Sequence, residues 1–331
     1  MLTLHDVHAA QRVIQPHIWR TPLLPSPALS QRTGGDIWMK AECWQHTGSF
    51  KVRGALNKLA SLESATQPAS DWPELVTASA GNHGLGVAFA SQALGLPRAT
   101  IFVPETASEA KLNRLNAFRC NIHRAGADYD TCHALAQAYA QERNARYISA
   151  YDDPAIIAGQ ATTALEILED LPDADLLLVP VGGGGLIAGI AIVARAINPG
   201  IRVVGTQPEA SPAAYLSLRN GQSHETYPAG PTICDGLAGG FGRVPFDMAA
   251  DLIDSVVIVP EVAIRHAVAW LVAHEQMVVE GSGAIAVAPL LSGQLSVAGK
   301  KVVAVLTGRN LDAILLSEIM SEHPNGPLAP C

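Results

Sequence analysis

Short, continuous apolar runs alternate with longer amphipathic stretches along nearly the whole of this 331-residue chain. "IWMKAEC" leads to "SFKVRGALNKLASL", "ELVTASA" to "NHGLGVAFASQALG", "ATIFVP" to "SEAKLNRLNAF", and "NIHRAG" to "YDTCHALAQAYAQER". After "RYISA" comes "AIIAGQATTALEILED". Then "DLLLVPV" leads to "GLIAGIAIVARAI", "IRVVGTQ" to "SPAAYLSLRNG", "SVVIVP" to "EVAIRHAVAWLVAHEQ", and "KKVVAVLTG" to "NLDAILLSEIM". Strands that are apolar on both faces need cover on both faces, which helices flanking a parallel sheet provide. The fold class is therefore α/β. Ligands of such sheets bind beyond the carboxyl ends of the strands, so chemistry is expected where an apolar run gives way to a helix. One segment breaks the rhythm: "SLRNGQSHETYPAGPTICDGLAGGFGRVP", rich in Gly and Pro, reads as a functional loop.

The length suits about two domains at roughly 100–200 residues each. With 48% hydrophobic and 16% charged residues, the chain can bury a large core. A net charge of −8, scattered evenly, offers no footprint for nucleic acid or an anionic membrane. The five cysteines (Cys43, Cys120, Cys132, Cys234 and Cys331) include no C-x-x-C pair, which suits a reduced cytoplasmic protein. "MLTLHDVHAAQRVIQPHI" has no basic segment followed by an apolar run, so no signal peptide is expected. No stretch reaches the ~20 apolar residues of a membrane span.

Four stretches carry chemistry. In "DLLLVPVGGGGLIAG" an apolar strand stops at Gly182, Gly183, Gly184 and Gly185, and a helix opens near Leu186. Glycines let backbone N–H groups approach an anion, and the helix dipole favours it. A plain tight turn would not need four residues with such an entropic cost. Gly183, Gly185 and Ala188 also satisfy G-x-G-x-x-A, with Glu209 past the next strand, so a nicotinamide oxidoreductase is a rival. "HTGSFKVRGA" sets Lys51 between Phe50 and Val52. Either this lysine snorkels from a helix start, or burial makes it a reactive amine. "VTASAGNHGLG" offers a nest of backbone donors for a carboxylate, or simply an Asn N-cap. "VAVLTGRN" ends a strand at Thr307, whose hydroxyl suits a ring nitrogen or merely ends the strand. "TICDGL" and "VVEGSG" add Asp235, Gly236 and Glu280 in glycine-rich settings. H-E-x-x-H fails after His274-Glu275, and no G-x-S-x-G or zinc spacing is present.

Together, "KAECWQHTGSFKVRGA", "SAGNHGLGVAFA", "YDDPAIIAGQ", "PVGGGGLIAGI", "TICDGL" and "LTGRN" resemble the ordered motifs of the fold-type II pyridoxal-phosphate enzymes, in the branch of threonine/serine dehydratases and serine racemases. The likeness runs from about Thr21 to Asp312. It implies a tryptophan-synthase-β-like fold with pyridoxal 5'-phosphate in a cleft between two domains. Residues 1–70 and 151–331 would form the large domain, and 71–150 a smaller mobile one. The resemblance implies that Lys51 forms the Schiff base and shuttles the Cα proton, with Phe50 beside the ring. Asn82 would bond the ring hydroxyl, Gly182 to Leu186 the phosphate, and Thr307 the pyridine nitrogen, with Glu280 also at the cofactor. Ser79, Ala80, Gly81, Asn82 and His83 would hold the substrate carboxylate, with Asp235 and Gly236 nearby. The implied reaction is β-elimination from L-threonine or L-serine to a 2-oxo acid and ammonia. A bulkier 3-hydroxy amino acid and racemisation are alternatives, and a non-catalytic ligand-binding descendant is a further one. A homodimer is likewise implied.

Three departures from the family pattern stand out. Ala80 replaces the serine that reprotonates Cα in the racemases, which favours elimination. Gln207 and Ala213 stand where relatives carry acids of a divalent-metal site, so no Mg²⁺ or Ca²⁺ is expected there. Arg309 replaces a glycine; it would discourage ring protonation if it lay near Thr307, and would not if it pointed away. No regulatory domain is expected after the catalytic core, and hence no feedback by isoleucine.

Overall fold

The computed structural model describes residues 2–62 and 72–323. Helix α1 (Leu4–Ile14) opens on a capping box in which Thr3 and Asp6 satisfy one another's amides. Strand β1 (Leu23–Pro25), helix α2 (Pro27–Thr33), β2 (Asp36–Lys40) and α3 (Lys51–Leu62) follow. Next come β3 (Leu75–Ala78), α4 (Asn82–Ala93), β4 (Thr100–Val103), α5 (Glu109–Asn116), β5 (Asn121–Arg124), α6 (Tyr129–Glu142) and the two-residue β6 (Arg146–Tyr147). The chain continues through α7 (Pro154–Asp170), β7 (Leu176–Pro180), α8 (Gly185–Ile197), β8 (Arg202–Pro208), α9 (Ala213–Asn220), β9 (Ser255–Val259) and β10 (Lys301–Val305).

The strands form two sheets. One has the order β1-β2-β10-β7-β8-β9, and the other β5-β4-β3-β6. All pairings are parallel except β1 with β2, an antiparallel edge that the alternation does not reveal. Its three residues, ended by Pro25, are too short to carry a period. The expected irregular segment is also narrower than its composition suggests. Ser217 to Asn220 complete α9, which stops at left-handed Gly221 (φ 66°), and Arg243 opens another helix. The boundary expected at residues 70/71 lies outside the described residues, as does Cys331.

Each sheet is packed on both faces. One apolar cluster joins Ile37, Met39 and Val302 to Trp270 and Leu290; another joins Val179, Val203 and Val305 to Ile187 and Leu165. Helix α3 sends Val52, Leu56 and Leu59 into a core shared with Leu75 and Ile101 of the smaller sheet. Its opening turn is gripped by two helices at glycines. A Cβ on Gly86 of α4 would stand 3.2 Å from the Lys51 carbonyl, and one on Gly159 of α7 only 2.5 Å from the Arg53 carbonyl. A side chain at Gly159 would force the backbones apart, and one at Gly86 would be tight. Helix α7 itself starts sharply, with Pro154 in its first turn and the Asp153 carboxylate accepting from the amides of Ala155 and Ile156.

Candidate active site

Lys51 is the first residue of α3, and the chain before it is stitched to the end of β10. Gly48 turns at φ +75°, Ser49 bridges to Gly308, and the Phe50 amide donates to the Thr307 carbonyl at 3.1 Å. The amine donates to the Ala150 carbonyl at 2.9 Å and stands 5.2 Å from the centre of the Phe50 ring. No carboxylate among the described residues bonds it. Burial lowers its pKa from the ordinary lysine value to about 8, so roughly a tenth is free amine at pH 7. The amine turns inward to the Ala150 carbonyl and does not snorkel to solvent.

The nest after β3 leads into α4, the helix whose Gly86 packs on the Lys51 backbone. Gly81, not Asn82, caps α4, and it makes no side-chain bond there; Asn82 is the first helical residue. The Asn82 amide is pinned from both sides, donating to Glu280 Oε1 at 2.6 Å and accepting from Asn310 Nδ2 at 2.6 Å. Its role is therefore outside its own helix. Glu280 is buried against Gly308, and burial, reinforced by Asp235, raises its pKa to about 7. His83 donates from Nε2 to the Ile148 carbonyl at 3.1 Å, which leaves Nδ1 buried without a partner. Burial first, and the Lys51 charge second, push its pKa down to about 3, so it is neutral.

The glycine run forms the turn from β7 into α8 that the sequence predicts. Gly184 caps α8 in the left-handed region (φ 96°), with no side-chain cap, and the first turn is buried. A Cβ on Gly183 would stand 2.2 Å from a carbon of the Tyr151 ring, and one on Gly184 2.4 Å from a carbon of the Phe241 ring. The rear of the loop is closed by aromatics, and its amides are left for a ligand. The Thr307 hydroxyl, 4% exposed, donates to the Ser282 carbonyl at 3.1 Å. Asp235 lies at the edge instead, its side chain 62% exposed and bonded by Lys111 at 2.7 Å, while the Gly236 amide donates to Ser282.

Two of the departures acquire physical reasons. The buried Gln207 carboxamide accepts from the amides of Ala214 and Tyr215 at 3.0 and 3.2 Å, and donates to the Val181 carbonyl. It caps the start of α9 and ties it to β7. Arg309 is exposed and makes no hydrogen bond with Thr307. Sequence reasoning missed Asn310, Tyr151 and Phe241. "LTGRN" and "YDDP" were in view, but only folding brings Asn310 to Asn82 and the two rings behind the glycines.

The uncapped turn at 182–186, the lowered pKa of the Lys51 amine, and the orphaned His83 Nδ1 fit an anionic aldehyde cofactor. Fold and site together define the class: an α/β protein that sets a lysine of lowered pKa and an uncapped, glycine-run helix start at the ends of its strands. Residues 14–308 match the family described as pyridoxal-phosphate dependent enzyme, and the chain belongs to it. It is 39% identical over 323 residues to an L-threonine ammonia-lyase of Thermotoga maritima, covering 97% of this chain and 79% of that one. It is 36% identical to the catabolic L-threonine dehydratase of Escherichia coli, covering 96% of both. Maize serine racemase superposes with a TM-score of 0.88 at 32% identity, covering 97% of this chain and 98% of that one. A processed threonine deaminase isoform from Solanum lycopersicum gives 0.87 at 31% identity, covering 96% and 91%.

Proposed function

We propose that this chain deaminates a hydroxy amino acid, L-threonine or L-serine, to the 2-oxo acid and ammonia. The observation that carries the reading is the Lys51 amine, buried, unpaired by any described carboxylate and depressed to a pKa of about 8. The similarity to threonine ammonia-lyases and deaminases supports it. When bound, pyridoxal phosphate supplies an aldehyde that captures amines and a ring that accepts electrons from Cα.

The chain's own residues do the rest. Lys51, freed by the incoming amine, takes the Cα proton, a role typically worth about 10²–10⁴ in rate. The Ala150 carbonyl aims that amine. Amides of Gly182 to Leu186 hold the phosphate, while the loop Ser79 to His83 receives the substrate carboxylate. Asn82, fixed by Glu280 and Asn310, keeps one amide hydrogen for a ring hydroxyl, with Phe50 beside the ring. Thr307 and Ser282 present only neutral groups to the ring nitrogen, and Asp235 with Gly236 closes the substrate side. Ala80 has no proton to return to Cα, which favours loss of the β-hydroxyl. Racemisation is the second reading, on the likeness to maize serine racemase.

In this reading residues 71–150 move as the smaller domain against 1–70 and 151–331, with the cofactor between them, and the enzyme is a cytoplasmic homodimer. No helix among the described residues is long and apolar enough to cross a membrane. Assaying 3-hydroxy amino acids for 2-oxo acid and ammonia, with racemisation followed in parallel, tests the proposal. Ammonia from threonine or serine is expected. Inversion of Cα without ammonia would replace elimination by racemisation, and neither activity would remove both readings.

A further inference from the structure

Helix α5 carries two cations, one turn apart, that both bond residues far along the chain. Lys111 bonds Asp235 at 2.7 Å. Arg114 makes a wider grip. Its guanidinium donates from Nη1 to the Asn310 carbonyl at 2.9 Å, and from Nη2 to the Leu311 carbonyl and Asp312 Oδ1, each at 3.0 Å. Asn310, Leu311 and Asp312 follow β10 and belong to no helix or strand. No backbone amide among the described residues bonds either carbonyl, so Arg114 answers them. Asp312 precedes the helix Ala313–Glu322 without a side-chain cap bond to it, so its carboxylate is left to the arginine. With side chains 30% and 35% exposed, the ion pair itself is worth little. The planar fork across two carbonyls is what fixes the chain.

The clasped segment carries the Asn310 side chain. Its Nδ2 donates to the Thr47 carbonyl at 2.9 Å and to Asn82 Oδ1 at 2.6 Å. A carboxamide can turn over and exchange its oxygen for its nitrogen, so its orientation needs a partner that tolerates only one of them. A backbone carbonyl accepts and never donates, so Thr47 fixes which end of Asn310 is nitrogen. The second hydrogen of that nitrogen then holds the Asn82 oxygen, which turns the Asn82 nitrogen the other way. Glu280 cannot set this alone. With a pKa of about 7, its carboxyl accepts from the Asn82 nitrogen when ionised and is able to donate to an oxygen when protonated. The orientation of Asn82 therefore descends from Thr47 through Asn310, and it holds only while Asn310 stays between them.

We infer that Arg114 is a positioning residue for the cofactor. By clasping Asn310 to Asp312 it keeps the Asn310 carboxamide between Thr47 and Asn82, and so keeps the second Asn82 N–H free for the ring hydroxyl. It acts through two carboxamides rather than by touching the cofactor. This rests on the role of Asn82 proposed above, and the test separates the two.

Two readouts need no turnover. One is the dissociation constant of pyridoxal phosphate titrated into the apoprotein. The other is the pH midpoint of the bound cofactor's visible band, which rises when the ring oxygen loses a donor that stabilises its anion. Asn82→Ala is expected to weaken cofactor binding by about 10-fold or more and to raise the midpoint. Arg114→Ala should move both readouts the same way, weakening binding by about 3- to 10-fold. Arg114→Lys should recover part of that loss, and Asp312→Asn should cause less of it. Lys111→Ala cuts the other tie of the same helix and should leave the dissociation constant within about 2-fold and the midpoint in place. If Asn82→Ala moves both readouts and Arg114→Ala moves neither, the inference is overturned and the role of Asn82 stands. If Lys111→Ala matches Arg114→Ala, the effect is a general loosening of α5, and the inference fails again. A silent Asn82→Ala removes the ring-hydroxyl role itself, and the function of the clasp with it.

Discussion

Two clusters of buried charge lie two residues apart on the same helix, and they are built on opposite plans. Around Arg53 every charge is answered. Its guanidinium makes paired bonds of 2.8 Å to both oxygens of Glu42 and to both of Glu166, with Thr162 at 3.1 Å. Lys40 completes the set on Glu166 and the Thr21 carbonyl, each at 2.6 Å. Two cations meet two anions, all essentially hidden from solvent. Burial alone would lower the Arg53 pKa, yet Glu42 and Glu166 hold it above the usual value. Around Lys51 the groups are left short instead: an amine with one carbonyl, a histidine with one free nitrogen, and a carboxyl raised towards neutrality. Paired charges fix geometry, whereas unpaired ones are poised to change protonation. The first cluster anchors the helix that carries the second.

The comparison breaks most visibly at Lys51. Lys51→Ala is expected to reduce elimination by about 10⁴-fold, as loss of both the covalent anchor and the base requires. Reduction with borohydride followed by peptide mass spectrometry should label Lys51 in the native enzyme, and label on another residue would end the assignment. The cofactor-free variant should unfold no earlier than the native apoprotein, because an unpaired buried amine is removed. Arg53→Met should do the reverse, costing about 3–5 kcal/mol by leaving buried Glu42 without a cation and Glu166 with Lys40 alone. Denaturant titration of the apoprotein measures this, and a loss below ~1 kcal/mol would mean that the network does not anchor α3.

pH sharpens the contrast. Glu280 has a folded pKa of about 7, raised from the ordinary carboxyl value of 4.5. The folded state therefore holds the extra proton between those values. Its contribution favours folding most below pH 4.5 and is lost as pH rises through 7. For Lys51 the depressed value makes the folded state hold fewer protons between about 8 and 10.5, so stability recovers as pH rises through that window. Glu280→Gln should flatten the first slope and leave the second. Urea midpoints of the apoprotein across pH 4–11 would reveal it, and an unchanged acid slope would remove Glu280 from the account.

The smallest effect concerns a paired polar group far from either cluster. Gln207→Ala strands two buried amides of α9 and should cost about 1–2 kcal/mol. Chelators should leave the native melting temperature unmoved. A drop on chelation that Mg²⁺ restores would show that a cation shares the work of that carboxamide.

Much of the frame was legible from local pattern. Continuous apolar runs such as "DLLLVPV" and "KKVVAVLTG" became central parallel strands, because burial on both faces demands that composition. The edge strand Leu23–Pro25 carried no such signal, since an edge needs neither length nor full burial. Within the site, Lys51 and the four glycines announced themselves by being costly where they stand. Asn82 alone read equally well as a cap, and only its distance in sequence from Glu280 and Asn310 concealed its use. The acids of the Arg53 network were similarly mute, since Glu42 and Glu166 look like ordinary helix and loop carboxylates until they are buried together.

What the sequence by itself determined is the kind of structure and the place of its chemistry. Periodicity sets the strands and helices, and expensive residues mark where a ligand must repay them. What only the tertiary structure decided is the state of those residues. Whether a lysine is free or paired, or a glutamate neutral or charged, depends on which distant groups share its low-dielectric surroundings, and those distances exist only after the chain has folded.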